Sequence, residues 1–471
     1  MDLSAESMDL DQPPEPATDG PVTKTQVEPT VRVKFKFLVD LRPLPRLGPE
    51  DTGQVPVSDE ALLEKIRQAA WIICCELQKA KAGPSMVSSM LWKPNEEDKE
   101  AWELEESVFQ GWTVTVCGFP VGVAQCNIQT VRKAVCPNTS FVRFKVALAY
   151  PLYATEETFK MIEHGAHVLR SQDFIHFDED SEYHVAVGNG PEGLDGSMER
   201  RLFTLLWLGG GRILHSVHPP HRSLHTDEMF CTEVDIAEKK ETKKYLESLC
   251  NDPNIRFWGT DGLQWMQACG LGLDKWVNDS GGVDLSGWLA SKSDQTSLKV
   301  EKEIMHIWTC PYEGFLDECS RPSDAYCAPS DDYMVCQAIQ IARPVGHVKW
   351  AIEPENEKIE HSIEFFQGDG DLRRDNDEAY PVMWAKVAVG LFLWAAFYED
   401  DQATEQPRTI ADEKTKANIR AFGNTIQEAT AAARLGSGHE REMVERLLKS
   451  VKLPDDVVAY MVDRAERMKA E

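Results

Sequence analysis

The sequence has little positive charge for its length. It contains 50 lysine and arginine residues against 78 aspartate and glutamate residues, which gives a formal net charge of -28 and a pI of about 4.9. A surface of this sign repels the phosphate backbone of nucleic acids and the headgroups of acidic lipids. We therefore expect no nucleic-acid partner and no membrane partner, while a local basic pocket stays compatible with these totals.

The chain also lacks a long apolar run that is free of charge. The longest stretch, Pro381 to Tyr398, contains Lys386 and has charged flanks, so we interpret it as a buried helix and not as a membrane span. The first residues show no basic segment followed by an apolar one, which is the pattern of a secretory signal. We therefore expect a cytoplasmic protein.

No Cys-x-x-Cys pair occurs among the twelve cysteines. Scattered thiols in a large chain favour reduced cysteines, as in the cytoplasm. Four cysteines between 310 and 336 recur at near-even spacing, and their role stays open, because zinc ligands usually come in pairs at short spacing. The sequence also lacks a Gly-x-Ser-x-Gly elbow, and no local motif supports a cysteine nucleophile. We predict no metal site.

Composition and periodicity divide the chain into three parts. Residues 1–30 are acidic and rich in proline, which predicts a disordered tail. We expect residues 31–400 to form one domain, and residues 401–471 to form a helical extension packed on it. The strand and helix patterns do not alternate regularly, so the predicted fold class is α+β, with an open antiparallel or mixed sheet backed by helices.

Two predicted strands carry cations on one face. Val31 to Asp40 reads VRVKFKFLVD and alternates apolar with basic residues, and Ser140 to Tyr150 places a second basic set on one face. Thr155 is expected to cap a helix that runs to about Arg170. We expect the basic side chains of the two strands to line an anion pocket, with a solvated sheet face as the alternative. These side chains are Arg32, Lys34, Lys36, Arg143 and Lys145.

The segment from Ser181 to Arg222 holds most of the candidate site. A strand, Tyr183 to Val187, carries His184 and leads into a glycine-rich turn, and an apolar helix follows from about Met198 to Leu208. A second polar cluster comes after this helix. We interpret the two histidine-bearing stretches as the two edges of one site. The members expected to bind a ligand are Gly188, Asn189, Gly190, His218, His221 and Arg222.

These strings resemble the amidoligase family of fungal genomes, whose members are related to glutamine synthetase and glutamate–cysteine ligase. HVAVGNG followed by a helix and HSVHPPHR is similar to the family's HVHVG, helix and histidine–proline–histidine–arginine turn. VRVKFKFLVD, FKVALAYP and SIEFFQGDGD fall, in order, where the family has FGVELEF, GVEIVSP and TIEFRQHEGT. The resemblance spans roughly residues 31–470.

The resemblance implies a glutamine synthetase-like funnel of strands and an ATP-dependent ligase that joins a carboxylate to an amine. In such enzymes the carboxylate is phosphorylated and the amine then displaces phosphate. Phosphoryl transfer depends on neutralising charge, so the family needs magnesium and the carboxylates that hold it.

The family's carboxylates are largely replaced in this chain. Lys34 and Lys36 stand where the first strand of the family has glutamates, and Ala147 replaces the glutamate of the second. Ala186, Phe366 and Gly368 replace a histidine, an arginine and another histidine. The resemblance therefore implies a retained scaffold with impaired chemistry. Residues that still match the family are His184, Gly188, Asn189, Gly190, His218, His221, Arg222 and Glu364.

Our hypothesis is a pseudoenzyme that binds a small anion or a protein partner, with lysines replacing part of the magnesium charge. The alternatives are an active carboxylate–amine ligase with a rearranged site and a scaffold that acts through its acidic surface. Glu364 and His184 are the candidate catalytic residues, although we expect Glu364 to be a buried carboxylate paired with one of the lysines. We assign no cofactor; ATP and magnesium apply only if ligase activity survives.

Overall fold

A computed structural model provides the fold. It describes residues 27–44, 59–88, 91, 109–117, 140–178, 180–190, 196–206, 208, 211–219, 262–277, 283–291, 308, 339–342, 362–374, 377–400 and 413–470. Several sequence predictions fall outside these residues. They are residues 1–26 of the tail predicted at 1–30, the cysteines at 310–336, and the site candidates His221 and Arg222.

In the part of the chain that the structure describes, nine strands form one open sheet, with β1 near its centre. The strands are β1 Pro29–Asp40, β2 Ser85–Val87, β3 Trp112–Val116, β4 Phe141–Leu148, β5 Leu152–Tyr153, β6 Ile175–His176, β7 Glu182–Asn189, β8 Ile339–Ala342 and β9 Ser362–Asp369. The order across the sheet is β2-β3-β4-β1-β7-β9-β8, and β5 and β6 also pair with β1. The pair β2 and β3 is parallel and the others are antiparallel.

Ten α-helices accompany the sheet in the described part of the chain. They are α1 Asp59–Lys79, α2 Glu156–Ser171, α3 Gly196–Leu205, α4 Gly211–His215, α5 Gly262–Ala268, α6 Leu285–Ser291, α7 Tyr380–Asp400, α8 Glu413–Ala433, α9 Glu440–Ser450 and α10 Asp455–Ala470. A short 3-10 turn covers Asp274–Trp276. None of the described helices, α7 included, has the length and apolar character that a membrane crossing needs.

One face of the sheet is apolar and carries the core. Alternation along β1 buries Val33, Phe35 and Phe37 on this face. The Tyr183 ring of β7 stacks on Phe35 with centroids 4.7 Å apart, and its hydroxyl donates to the Pro381 carbonyl of α7. Helix α7 packs against β1, β7 and β9, and α1 packs against β2 and β3. Burial of each large apolar side chain contributes about 2 kcal/mol, which makes this face the main source of stability.

The carboxyl-terminal helices are tied to the sheet by a buried arginine. Arg464 of α10 donates to Asp369 at the end of β9 and to Asp377, each at 3.0 Å, and to the Val217 carbonyl at 2.9 Å. Its guanidinium lies 3.7 Å from the centre of the Tyr380 ring. Because these partners neutralise a buried charge and satisfy its donors, removing one of them is costly.

The fold agrees with the α+β prediction at the level of an open mixed sheet with helices. The Thr155 cap is confirmed, since its hydroxyl accepts from the Thr158 backbone N–H and α2 begins at Glu156. The tail predicted for residues 1–30 extends too far, because β1 already begins at Pro29 and pairs there with Asn189 of β7. The expected turn at Gly188 is also wrong: this residue is still strand, because β7 pairs with β1 as far as Asn189. The turn begins at Gly190, whose φ of 51° lies in the left-handed region.

Candidate functional site

The candidate site lies on the other face of the sheet, where β1 is flanked by β4 and β7. Lys34 stands opposite Ala147 of β4 and opposite His184 of β7. Lys36 stands opposite Lys145 of β4 and Glu182 of β7. Residues directly opposite on neighbouring strands share a face and lie within about 5 Å at their β-carbons. We call this surface the polar face.

Five side chains of the polar face form a continuous chain of charged contacts across three strands. Lys36 Nζ lies 2.5 Å from Glu182 Oε2, and the same oxygen lies 2.5 Å from His184 Nε2. On the other side of the ring, His184 Nδ1 lies 3.3 Å from Glu364 Oε1, which accepts a hydrogen bond from Lys34 Nζ at 2.6 Å. We call this arrangement the charge chain: Lys36, Glu182, His184, Glu364 and Lys34.

An irregularity in β9 allows the charge chain to close. Tyr183 pairs with Gly368 and Val185 with Phe365, so one residue of β7, His184, faces two residues of β9. Glu364 then pairs with Ala186 and reaches the ring from the side. The backbone at Gly368 lies so close to β7 that a β-carbon there would be 2.1 Å from the Tyr183 oxygen. A larger side chain, such as the histidine of the family string, has no room in this arrangement.

Both nitrogens of His184 face carboxylate oxygens. Ionised carboxylates only accept hydrogen bonds, so the two contacts are satisfied together when both ring nitrogens donate, as in the imidazolium form. The His184 side chain is only 3% exposed. The ring therefore acts as a fixed link between two carboxylates.

Opposite charges within the charge chain stabilise one another. Burial raises the pKa of Glu364, but the Lys34 charge and the hydrogen bond from His184 outweigh it and hold that pKa well below its usual range. The pKa of Glu182 is lowered likewise: burial opposes ionisation, and His184 and Lys36 favour it more strongly. Burial lowers the pKa of Lys34 despite the attraction of Glu364, and the nearby Arg32 adds to this effect. Both carboxylates are thus ionised near neutral pH.

Lys145 differs from the other two lysines of the polar face. Within the described residues its ammonium group has no hydrogen-bond or salt-bridge partner, whereas Lys34 and Lys36 each pair with a glutamate. Burial and the positive charges of Lys34, Arg32 and Lys36 lower the pKa of Lys145 to about 8. It is a partly buried amine in a cationic environment.

The two arginines expected in the pocket are directed elsewhere. Arg143 binds the backbone oxygen of Asp180 and the carboxylates of Asp178 and Asp180. Arg32 donates from Nε to the Leu148 carbonyl at 2.8 Å, although its charge still acts on Lys145. The expected group of five cations therefore narrows to the three lysines, with Arg32 beside them.

His218 lies on the opposite side of the sheet from His184. Its ring packs 4.6 Å from the Trp384 ring of α7, and its Nδ1 is 3.0 Å from the Tyr380 hydroxyl. Trp384 also contacts Phe365, which follows Glu364 on β9 and so points to the other face. The expectation that His184 and His218 form two edges of one site is therefore wrong. His218 belongs to the apolar core behind the sheet.

The glycine-rich stretch has a structural role in the described contacts. The Asn189 side chain accepts a hydrogen bond from the Glu28 backbone N–H at 2.9 Å, which ties the start of β1 to the end of β7. Gly188 pairs with Thr30 on one side and with Ser362 on the other. These residues fix the strand pairing from which the polar face is built, and their contacts indicate no ligand.

Sequence reasoning missed Glu182, Thr115 and Cys117. Glu182 precedes His184 by two residues, and this period-2 spacing already placed both on one face of a strand. Thr115 of β3 stands opposite Lys145, and its buried hydroxyl has no hydrogen-bond partner among the described residues. The charges of Lys36 and Lys145 also act on the Cys117 thiol, but burial outweighs them and raises its pKa, so the thiol stays uncharged near neutral pH.

The described residues do not fit magnesium. Glu182 and Glu364 lie on opposite sides of the His184 ring and each is already bound to a lysine, so they do not converge on one point. In the described parts of the chain, no group of three histidine, cysteine or acidic side chains is arranged to hold a metal ion. A hard cation needs oxygen ligands around one centre, and two adjacent ammonium groups repel it.

We compared the chain with protein-family models, with curated proteins and with solved structures, and none matches it.

Proposed function

We propose that this protein binds a small anion on its polar face, without a metal ion, at a site centred on Lys145. The observation that supports this most strongly is a surplus of positive charge. Three lysines meet two carboxylates on this face, and Lys145 is the lysine without an acidic partner among the described residues. An anionic group beside Lys145 gains a charge-assisted hydrogen bond and neutralises this surplus.

The surroundings strengthen such a contact. The Lys34 and Lys36 side chains are 23% and 21% exposed, so a small solute reaches them from solvent, yet much of their surface is shielded from water. Reduced solvent screening increases the attraction between opposite charges. The rest of the molecule is strongly acidic, so the polar face is a local exception in a chain of net charge -28.

We propose that this site derives from a degenerate amidoligase. We also propose that the open sheet is a funnel like that of glutamine synthetase. This proposal is supported by the sequence resemblance and by the contacts that the replaced residues now make. Lys34 and Lys36 stand where the resemblance expects metal-binding glutamates, and both now pair with carboxylates of the same face. The lysines form ion pairs with the carboxylates that a metal cation would need as ligands.

An active ligase is the second candidate, and Glu182 is the observation that favours it. It adds a second carboxylate to the polar face beside Glu364, where sequence reasoning had counted one. A ligase requires both carboxylates to release their lysines and bind magnesium. Consumption of ATP with a panel of amino acids and carboxylic acids tests this directly, and turnover that disappears in Glu364→Gln would support it over our proposal.

Calorimetric titration tests the anion site. The full-length chain is titrated with succinate, inorganic phosphate and ATP in the presence of EDTA, beside Lys145→Met and the control Lys160→Met. Lys160 is an exposed lysine of α2, so the control removes the same charge far from the polar face. We expect at least one anion to bind the wild type and the control, and binding to Lys145→Met to fall tenfold or more. If no anion binds at millimolar concentration, or if both variants lose equally, the proposal is overturned.

A further inference from the structure

Lys145 has the properties of a reactive amine as well as those of a charge. A neighbouring carboxylate favours the protonated form of a lysine, and Glu364 acts on Lys34 in this way, opposing the effect of burial. Lys145 has no such partner among the described residues. Lys34, Lys36 and Arg32 instead place positive charge around it. These neighbours favour the neutral amine, which is the nucleophilic form.

The proton equilibrium agrees with this geometry. With a pKa of about 8, the Lys145 amine is neutral in about half of the molecules at pH 8, whereas an ordinary lysine is neutral in roughly 0.3% of them. The neighbouring Cys117 acts in the opposite direction and raises the pKa of Lys145, but burial and the charges of Lys34, Arg32 and Lys36 outweigh it.

A second polar group on this face, the Thr115 hydroxyl, also has no partner within the described ranges. Thr115 stands directly opposite Lys145 on β3, it is 5% exposed, and its hydroxyl forms no hydrogen bond with the described residues. Its neighbour on the same face, Thr113, donates to the Ala147 carbonyl instead. A buried hydroxyl without a partner is costly, and it is satisfied when a polar ligand atom comes within hydrogen-bond reach.

We propose that Lys145 condenses with the carbonyl group of a small anionic oxo compound, of the class of 2-oxo acids, and holds it as a Schiff base. The inference rests on the proposed anion site, because the positive charges of Lys34, Lys36 and Arg32 remain beside Lys145 when its amine is neutral, and they attract the carboxylate of the ligand. Thr115 is a positioning residue that hydrogen-bonds the carbonyl oxygen as it approaches the amine.

The bond changes balance without an oxidant or reductant. The neutral Lys145 nitrogen attacks the carbonyl carbon, and its lone pair forms the new carbon–nitrogen bond while the carbonyl π electrons move to oxygen. Both protons of the amine pass to this oxygen, which leaves as water when the carbon–nitrogen double bond forms. The products are one imine and one water molecule, and hydrolysis reverses the reaction.

Reductive trapping tests this inference. The full-length protein is incubated at pH 8 with 2-oxoglutarate and cyanoborohydride, which reduces an imine to a stable secondary amine. We expect one adduct, with a mass increase equal to that of the oxo acid less one oxygen atom, at a peptide containing Lys145. Lys145→Arg, which keeps the charge, is expected to give at least tenfold less adduct, while Lys160→Arg behaves as wild type. Adduct spread over surface lysines, or unchanged in Lys145→Arg, overturns the inference.

A matched ligand separates this inference from the proposed function. 2-Hydroxyglutarate keeps both carboxylates but has a hydroxyl in place of the keto group, so it binds the anion site without forming an imine. If it binds wild type and no adduct is trapped from 2-oxoglutarate, the covalent step is wrong and the anion site stands. If neither acid binds nor reacts, both ideas fail. Thr115→Val, which keeps the shape of the side chain, is expected to slow trapping severalfold with 2-hydroxyglutarate binding unchanged; an unchanged trapping rate removes the role given to Thr115.

Discussion

Lys34 and Glu364 form an ion pair of 2.6 Å although their strands are not neighbours in the sheet. β7 lies between β1 and β9, and His184 on β7 contacts the same Glu364 oxygen. The pair joins residues 330 positions apart, so it belongs to the assembled sheet and not to any local segment. The polar face is therefore a buried charge network, and its members depend on one another for stability.

Removing one member of this network is expected to destabilise the fold. Glu364→Gln leaves Lys34 partly buried without its counter-charge, so we expect the free energy of unfolding to fall by about 1–3 kcal/mol, less than for a fully buried pair because Lys34 is partly exposed. Urea denaturation measures this loss. Glu445→Gln is the control: its ion pair with Lys449 lies on the surface of α9, where solvent screens the charges, so its loss is expected to cost much less. Equal losses in the two variants would contradict the network.

Acid is expected to weaken the fold through the same carboxylates. Glu182 and Glu364 have folded-state pKa values below the ordinary value of 4.5, so their contribution is fully present above about pH 4.5. It is lost as the pH falls below that value and the folded-state carboxylates take up protons. Unfolding free energies measured between pH 6 and pH 3 check this, and the double variant Glu182→Gln/Glu364→Gln is expected to show a flatter profile. An unchanged slope in the double variant would refute the assignment.

Alkaline conditions are expected to have the opposite effect through Lys145. Its folded-state pKa of about 8 lies below the ordinary value of 10.5, so between these values the unfolded chain binds more protons and the folded state gains stability with rising pH. We expect a gain on the order of 1–2 kcal/mol, reduced from the full shift because the side chain is partly exposed. The charged or titratable groups around it are Arg32, Lys34 and Lys36 of β1, Cys117 after β3, Arg143 of β4 and Glu182 of β7.

The difference between wild type and Lys145→Met isolates this effect, since other lysines titrate equally in both proteins. We expect Lys145→Met to be at least as stable as wild type at pH 7 and to lack the gain between pH 8 and pH 10. Calorimetric unfolding at three pH values within this interval measures it. A Lys145→Met variant that is much less stable at pH 7 would mean that Lys145 has a stabilising partner.

The arginine anchor on α10 is expected to control stability without affecting ligand binding. Arg464→Met removes three hydrogen-bonded contacts of a side chain that is 1% exposed, so we expect a loss of about 3–5 kcal/mol. Arg464→Lys is expected to recover little, because an ammonium group does not reproduce the planar fork. Arg467→Met, at a side chain that is 38% exposed, should cost much less. If Arg464→Met is as stable as Arg467→Met in urea, the anchor is unimportant.

Local sequence patterns predicted the polar face better than they predicted its contacts. Alternation in β1 and β4 correctly placed Lys34, Lys36 and Lys145 together, because period-2 spacing determines the face of each residue. The pairing of Glu364 with a lysine was also expected and is confirmed. Which lysine each carboxylate binds depends on the order β1-β7-β9, and no local pattern contains that order.

The position of His218 shows a second limit. Its spacing from His184 in the sequence suggested a shared site, but the helix between them and the pairing of β7 with β9 place the two rings on opposite faces. The irregularity opposite His184 has the same origin: it arises where two distant strands must match their registers. Such features follow from long-range packing and are not written in any short segment.

The central claim is that an anion binds at Lys145 without magnesium. The most direct measurement is the shift in melting temperature of wild type and Lys145→Met with saturating succinate or phosphate, each with EDTA and with magnesium chloride. A ligand that binds only the folded state stabilises it by about 2.7 kcal/mol at one hundred times its dissociation constant. We predict a rise in wild type that is equal with and without magnesium and is absent in Lys145→Met. A rise that requires magnesium, or one that Lys145→Met shows in full, would contradict the claim.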